Sequence, residues 1–145
     1  MTSKKALITG ITGMDGRLLA DFLLSKGYSV FGLYRKNPDR NFSPIEGVSY
    51  IESDLSNLPP LNELFDSHYF DEIYNLGAQT FINPSWEDPE YTMNVNCLSV
   101  VKFLNYIRDY SPETKFFSAS SSEIFSGTIE SPQNENTPYS PTSPY

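Results

Sequence analysis

Residues 6–16 read ALITGITGMDG, and few folds accept that order. A short apolar run (residues 6–8) has the form of a buried strand. It enters a turn holding Gly10, Gly13 and Gly16, and an amphipathic stretch follows. A turn from strand to helix exposes the first backbone N–H groups of the helix, which attract phosphate. Side chains at these three positions would obstruct the turn, the approach of a phosphate and the packing of helix on sheet. The spacing i, i+3, i+6 differs from G-x-G-x-x-G, but its setting between strand and helix is the one a dinucleotide needs. A tight turn with no ligand is the competing explanation. The candidate cofactor set here is Gly10, Thr12, Gly13, Met14, Asp15 and Gly16.

The rest of the chain alternates. Residues 17–26 predict a helix on Leu18, Leu19, Phe22 and Leu23, with Gly27 where a terminating glycine belongs. Strands are expected at 29–34, 48–51, 72–76 and 115–119, separated by a polar loop at 36–47, a helix at 58–65 and a long helix at 89–109. On the long helix, Val95, Leu98, Val101, Leu104 and Ile107 are read as one apolar face. Such alternation implies right-handed crossovers and a Rossmann-like, doubly wound parallel sheet of α/β class. Residues 1–125 form this dinucleotide-binding unit, and residues 126–145 are an active-site loop without periodicity.

Composition sets limits. The 145 residues suit one domain and carry a net charge of −8. That balance argues against nucleic acid or an anionic membrane as main partner, because both reward clustered cations. No stretch has the length of a signal core or membrane span, so a cytoplasmic protein is expected. The single Cys97 excludes an intrachain disulfide and is expected in the core, and His68 has no partners for a metal site.

The end of the second strand bears on cofactor choice. NAD sites usually place Asp or Glu there, for the ribose hydroxyls. Here the sequence is GLYRKN, with Arg35 and Lys36. A cation at that place suits the 2′-phosphate of NADP, although a solvated basic pair would look the same. Asp54, followed by Leu55, could hold the adenine amino group or cap the next turn. Trp86 and Tyr91 could stack on a base or sugar, or pack at a helix start. At the fifth strand's carboxyl end stand Ser120, Ser121 and Glu123, a hydroxyl and carboxylate set suited to proton transfer.

Five blocks in order, ALITGITGMDG, EIYNLGAQT, DPEYTMNVN, KFFSASSSEIF and TPYSPTSPY, carry a resemblance. From about Lys4 to Tyr145 the chain resembles the extended short-chain dehydrogenase/reductases that act on nucleotide sugars, and within them the GDP-mannose 4,6-dehydratases. The resemblance implies that Ser121 and Tyr145 match the family's Ser/Thr and catalytic Tyr. Glu123 matches the base that removes the proton from sugar carbon 5. Leu76, Gly77 and Ala78 join the cofactor set, and Thr80 and Ser85 become substrate contacts or plain loop residues. NADP is the implied cofactor, GDP-mannose the substrate, and a homo-oligomer the assembly. An epimerase, decarboxylase or 4-reductase of the same family, or a non-catalytic NADP-binding module, are the alternatives.

Three departures accompany the resemblance. The loop at 37–47 looks short for the family. Ser126 stands where a glycine is usual. The family lysine would fall four places after Tyr145, so the chain matches an N-terminal part, expected to be inactive by itself and to stop before a sixth strand and a substrate domain.

Overall fold

The computed structural model describes residues 3–37, 42–65 and 68–145. Five parallel strands form the sheet: β1 (Lys5–Thr9), β2 (Ser29–Tyr34), β3 (Val48–Glu52), β4 (Glu72–Asn75) and β5 (Lys115–Ser118). Their spatial order is β3-β2-β1-β4-β5. The chain steps outward from β1 to β3, then returns to the other side of β1. This reversal between β1 and β4 is the topological switch point, and ligands bind beyond the carboxyl ends of strands at such points.

β1 is apolar on both faces because both faces are covered. Ala6, Leu7 and Ile8 are fully buried. Leu7 packs with Leu33, Phe65, Ile73 and Phe103 under helices α2 (Leu61–Leu64) and α5 (Ser99–Tyr110). Ala6 and Ile8 pack with Ile11, Ala20, Leu23 and Val30 under α1 (Met14–Ser25). Helices on opposite faces make the sheet doubly wound, as expected.

The helices differ from expectation in detail, for physical reasons. α1 begins three residues before the predicted start and buries Gly16, Ala20 and Leu23, leaving Leu18 and Phe22 exposed. The predicted helix at 58–65 shrinks to α2. A 3₁₀ turn at Leu55–Asn57 precedes it, and Leu58, just before Pro59, is extended, with ψ 129. A proline disfavours helical backbone in the residue before it, so Pro59-Pro60 delays the helix.

Between β4 and the long helix lies α3 (Ile82–Glu87), which the sequence pattern does not announce. Residues 89–110 are helical, as α4 (Pro89–Met93), a π segment (Asn94–Leu98) and α5. Asp88 caps the start, accepting from the Tyr91 N–H at 2.9 Å. The predicted apolar face holds in part: Val95 is buried and Ile107 packs against the core, but Leu98, Val101 and Leu104 are 44–48% exposed. Steps of three residues turn through about 300°, so five such positions sweep around the cylinder. The buried side chains of residues 89–110 are Thr92, Val95, Ser99, Phe103 and Tyr106, and the π segment spans the turn that carries Val95. Cys97, expected in the core, lies in that segment and is exposed.

Part of the 37–47 loop (residues 38–41) lies outside the described residues. No helix among the described residues is long and apolar enough to cross a membrane.

Candidate functional site

The switch point is locked by a buried pair. Thr9, at the end of β1, is fully buried. Its hydroxyl donates to Asn75 Oδ1 at 2.8 Å and accepts the Gly77 N–H at 2.9 Å. Both strand ends are therefore tied where the backbone turns toward the crevice. Gly10 follows with φ +69, and a Cβ there would lie 2.8 Å from the Gly77 backbone. A Cβ on Gly16 would collide with the Gly10 carbonyl. The turn closes with the Gly13 N–H donating to Gly10 O at 2.9 Å. Gly13 is the N-cap of α1, and no side chain caps that helix. The first N–H groups of a twelve-residue helix thus lack a side-chain acceptor at the mouth of the switch point.

Two clefts open beyond the strand ends, and both include Gly77 and Ala78. The first, about 280 Å³, is lined by Gly10, Thr12, Arg35, Asp54 and Leu55, together with Tyr34, Phe42 and Tyr91. The second, about 310 Å³, is lined by Asp15, Leu76, Thr80, Ser121 and Tyr145, together with Asn75, Asn96 and Ser120. Most of the sequence candidates thus fall into two neighbouring groups, and Gly16 is buried under the turn outside both. Gly13 and Met14 are exposed at the start of α1 and line neither cleft.

Arg35 Nη1 donates to the Tyr91 hydroxyl at 2.6 Å and lies 3.9 Å from Asp54 Oδ2. The Arg35 side chain is half exposed, so the ion pair contributes about 1 kcal/mol or less. Asp54 does act as a cap. Its Oδ1 accepts from the Ser56 N–H and the Ser56 hydroxyl at 2.9 and 2.8 Å, which opens the 3₁₀ turn. Its other oxygen faces Arg35.

On the other side, Ser121 Oγ accepts the Glu123 N–H at 3.1 Å and caps a short 3₁₀ helix, Ser122–Phe125. Ser120, just before it, has φ +56. Glu123 is partly buried on that 3₁₀ helix and does not line the second cleft. Ser85 is fully buried, and its hydroxyl donates to Ile82 O at 2.6 Å. A substrate contact from Ser85 would require that bond and its burial to change. Trp86 is 63% exposed and lines neither cleft.

Sequence reading missed several lining residues. For Tyr91 the sequence leaves stacking and packing open and gives no sign of its bond to Arg35, 56 positions away. Asn96 lines the second cleft and pairs with Gln79 in both directions, Oδ1 accepting and Nδ2 donating at 2.9 Å. A polar residue on a helix gives no local sign of such a role. Among the described residues, no group of three or more His, Cys, Asp or Glu could hold a metal ion.

Both the fold and the sequence have known relatives. The fold recurs in TunA, an NAD-dependent NDP-hexosamine 5,6-dehydratase of tunicamycin biosynthesis, at TM-score 0.82 and 23% identity, over 99% of this chain and 45% of that one. It recurs in MoeE5, solved with UDP-glucose and NAD, at TM-score 0.78 and 23% identity, over 97% of this chain and 44% of that one. In sequence, the chain is 41% identical to a GDP-mannose 4,6-dehydratase of Vibrio cholerae, over 98% of its own length and 42% of that protein. It is 38% identical to GDP-mannose 4,6 dehydratase 2 of Arabidopsis thaliana, with the same two shares. The chain thus spans less than half the length of the curated relatives it matches. The family model for GDP-mannose 4,6 dehydratase matches residues 7–145, nearly the whole chain, and the chain belongs to that family.

Proposed function

We propose that this chain supplies the cofactor-binding part and the proton-transfer residues of a GDP-mannose 4,6-dehydratase that uses NADP. The observation that carries the reading is the pair of clefts meeting at Gly77 and Ala78. One holds Arg35 and Asp54 beside the glycine turn, and the other holds Ser121 and Tyr145.

The residues fit a dinucleotide. Gly10 and Gly16 keep the turn free of side chains, and the uncapped start of α1 suits a pyrophosphate. Arg35, held at the edge of the first cleft, suits a 2′-phosphate. When bound, the nicotinamide supplies a site that accepts a hydride and later returns it. Tyr145 takes the proton of the sugar 4-hydroxyl, and Ser121 hydrogen-bonds the 4-oxygen. Oxidation at carbon 4 acidifies the C–H bond at carbon 5. The resemblance gives removal of that proton, and help in the departure of the 6-hydroxyl as water, to Glu123, whose carboxylate must turn from its place on the 3₁₀ helix after Ser121 into the second cleft to do so. A phenol does this work near neutral pH only if its pKa falls well below about 10, commonly through a neighbouring ammonium. Among the described residues no lysine lines the second cleft, so residues 1–145 alone are expected to give no turnover.

The test is product analysis with a protein that carries this chain at the length of its relatives. GDP-mannose and NADP⁺ should give GDP-4-keto-6-deoxymannose with no net change in NADPH absorbance. Conversion of a UDP-sugar but not GDP-mannose would overturn the substrate reading.

A further inference from the structure

Ser126 stands directly after the 3₁₀ helix that carries Glu123, and its side chain makes two contacts sixteen residues away. Its Oγ accepts the Thr142 N–H at 3.1 Å and lies 2.7 Å from Thr142 Oγ1. Thr142 is three residues before Tyr145. We propose that Ser126 is a positioning residue that clasps the segment bearing Tyr145 to the turn bearing Ser121 and Glu123. The inference rests on the proton-transfer roles proposed above.

The returning segment lies along the turn through a short series of bonds. The Ser140 N–H donates to Ile124 O at 2.8 Å, and the Gly127 N–H donates to Ser140 O at 2.7 Å. A Cβ on Gly127 would lie 2.6 Å from Ser140 Oγ, so the two strands of chain are in close contact. Proline occupies positions 138, 141 and 144, and proline has no N–H to donate. Few backbone donors therefore remain within residues 138–144. Thr142 N–H is one of them, and the backbone does not supply its acceptor: Ser126 Oγ does. With glycine at 126 that acceptor is gone, and the bond at Ser140 becomes the last of the series, five residues before the phenol.

Placement matters because proton transfer requires donor and acceptor at hydrogen-bond distance. A displacement of about 1 Å in a catalytic group can cost up to about a hundredfold in rate. Loss of a clasp worth about one hydrogen bond is expected to cost about tenfold.

The test uses S126G, S126A and S126T. On the 145-residue chain, NMR hydrogen exchange should show the Thr142 N–H exchanging about tenfold faster in S126G, with the Tyr145 resonances shifted. The Ser140 N–H should keep its protection. In a protein carrying the chain at its relatives' length, S126G and S126A should lower kcat about tenfold with the KM for GDP-mannose unchanged. S126T, which keeps a hydroxyl, should restore most of kcat. Unchanged Thr142 exchange and Tyr145 resonances in S126G overturn the proposal. So does joint loss of protection at Ser140 and Thr142, which would mean a general unravelling. If the unmutated protein makes no 4-keto-6-deoxy sugar, the proposed function falls, and the exchange data alone decide the clasp.

Discussion

Arg35 and Tyr91 meet across the mouth of the first cleft, Nη1 donating to the phenol oxygen at 2.6 Å. The two come from the end of β2 and from α4, so the bond fixes a flexible cation against a rigid helix. If Arg35 reads a 2′-phosphate, holding it in place should raise affinity for phosphorylated adenosine only. Tyr91→Phe is expected to weaken 2′,5′-ADP binding about threefold to tenfold while leaving 5′-AMP unchanged. Titration calorimetry would measure both. Equal weakening of the two ligands would mean that Tyr91 shapes the pocket without steering Arg35.

The glycines of the turn should separate folding from binding. Gly10→Ala places a Cβ 2.8 Å from the Gly77 backbone, at a φ of +69. Left-handed backbone alone costs a non-glycine residue about 1–2 kcal/mol, and the collision adds to it. A loss of about 2–4 kcal/mol in urea unfolding is expected. At Gly13 an added Cβ meets only Gly10 O, at 3.3 Å. Gly13→Ala should cost about 1 kcal/mol or less, yet reduce NADPH binding by crowding the helix start. If Gly13→Ala leaves NADPH binding unchanged, the turn is structural only.

The sheet was legible in the sequence because buried parallel strands read as short apolar runs between breakers. Residues 29–34 were expected as a strand and are one. Helix faces were harder to read. Leu98, Val101 and Leu104 are as apolar as Phe103 and Tyr106, and only tertiary packing turns the latter pair inward. The π segment at Asn94–Leu98 has no sequence signature, so the register of the long helix could not be counted through it. The site was legible in part. The glycine turn and the residues at strand ends follow from topology. The links Thr9 to Asn75, Arg35 to Tyr91 and Ser126 to Thr142 join positions 66, 56 and 16 apart and need the folded chain.

Ser120 stores a small strain beside Ser121. Its φ of +56 lies in the region that favours glycine. Ser120→Gly should be neutral or stabilise by up to about 1 kcal/mol, the relieved strain being partly offset by the greater entropy of unfolded glycine. Ser120→Val should cost about 2 kcal/mol, because a β-branched residue tolerates this backbone least. Denaturant midpoints of the two variants provide the check. Stabilisation by valine would show that the positive φ is not kept in solution.

At the opposite end of the sheet from the clefts, Glu72 gathers hydrogen bonds from Tyr74 at 2.8 Å, Tyr28 at 3.2 Å and Lys4 at 3.4 Å. Burial opposes its charge, but the bonds from Tyr74, Lys4 and Tyr28 outweigh that and hold its carboxyl below the usual 4.5. Tyr74 moves the other way. Burial first, then the hydrogen bond to the Glu72 carboxylate, pushes its phenol up to about 12. A lowered carboxyl pKa contributes stability that is complete above about pH 4.5 and is lost as pH falls through the folded value. A raised phenol pKa contributes stability that is complete below about pH 10 and is lost as pH rises toward 12. Glu72→Gln removes the charged acceptor and should cost about 1–2 kcal/mol at pH 7. The gap between the two proteins should then shrink below pH 4.5, where the native carboxyl also becomes neutral. In alkali, the tyrosinate absorbance of Tyr74 should appear at lower pH in the variant, while remaining above 10 because burial persists. A gap that stays constant from pH 7 to pH 3 would show that the Glu72 charge does not stabilise this end of the sheet.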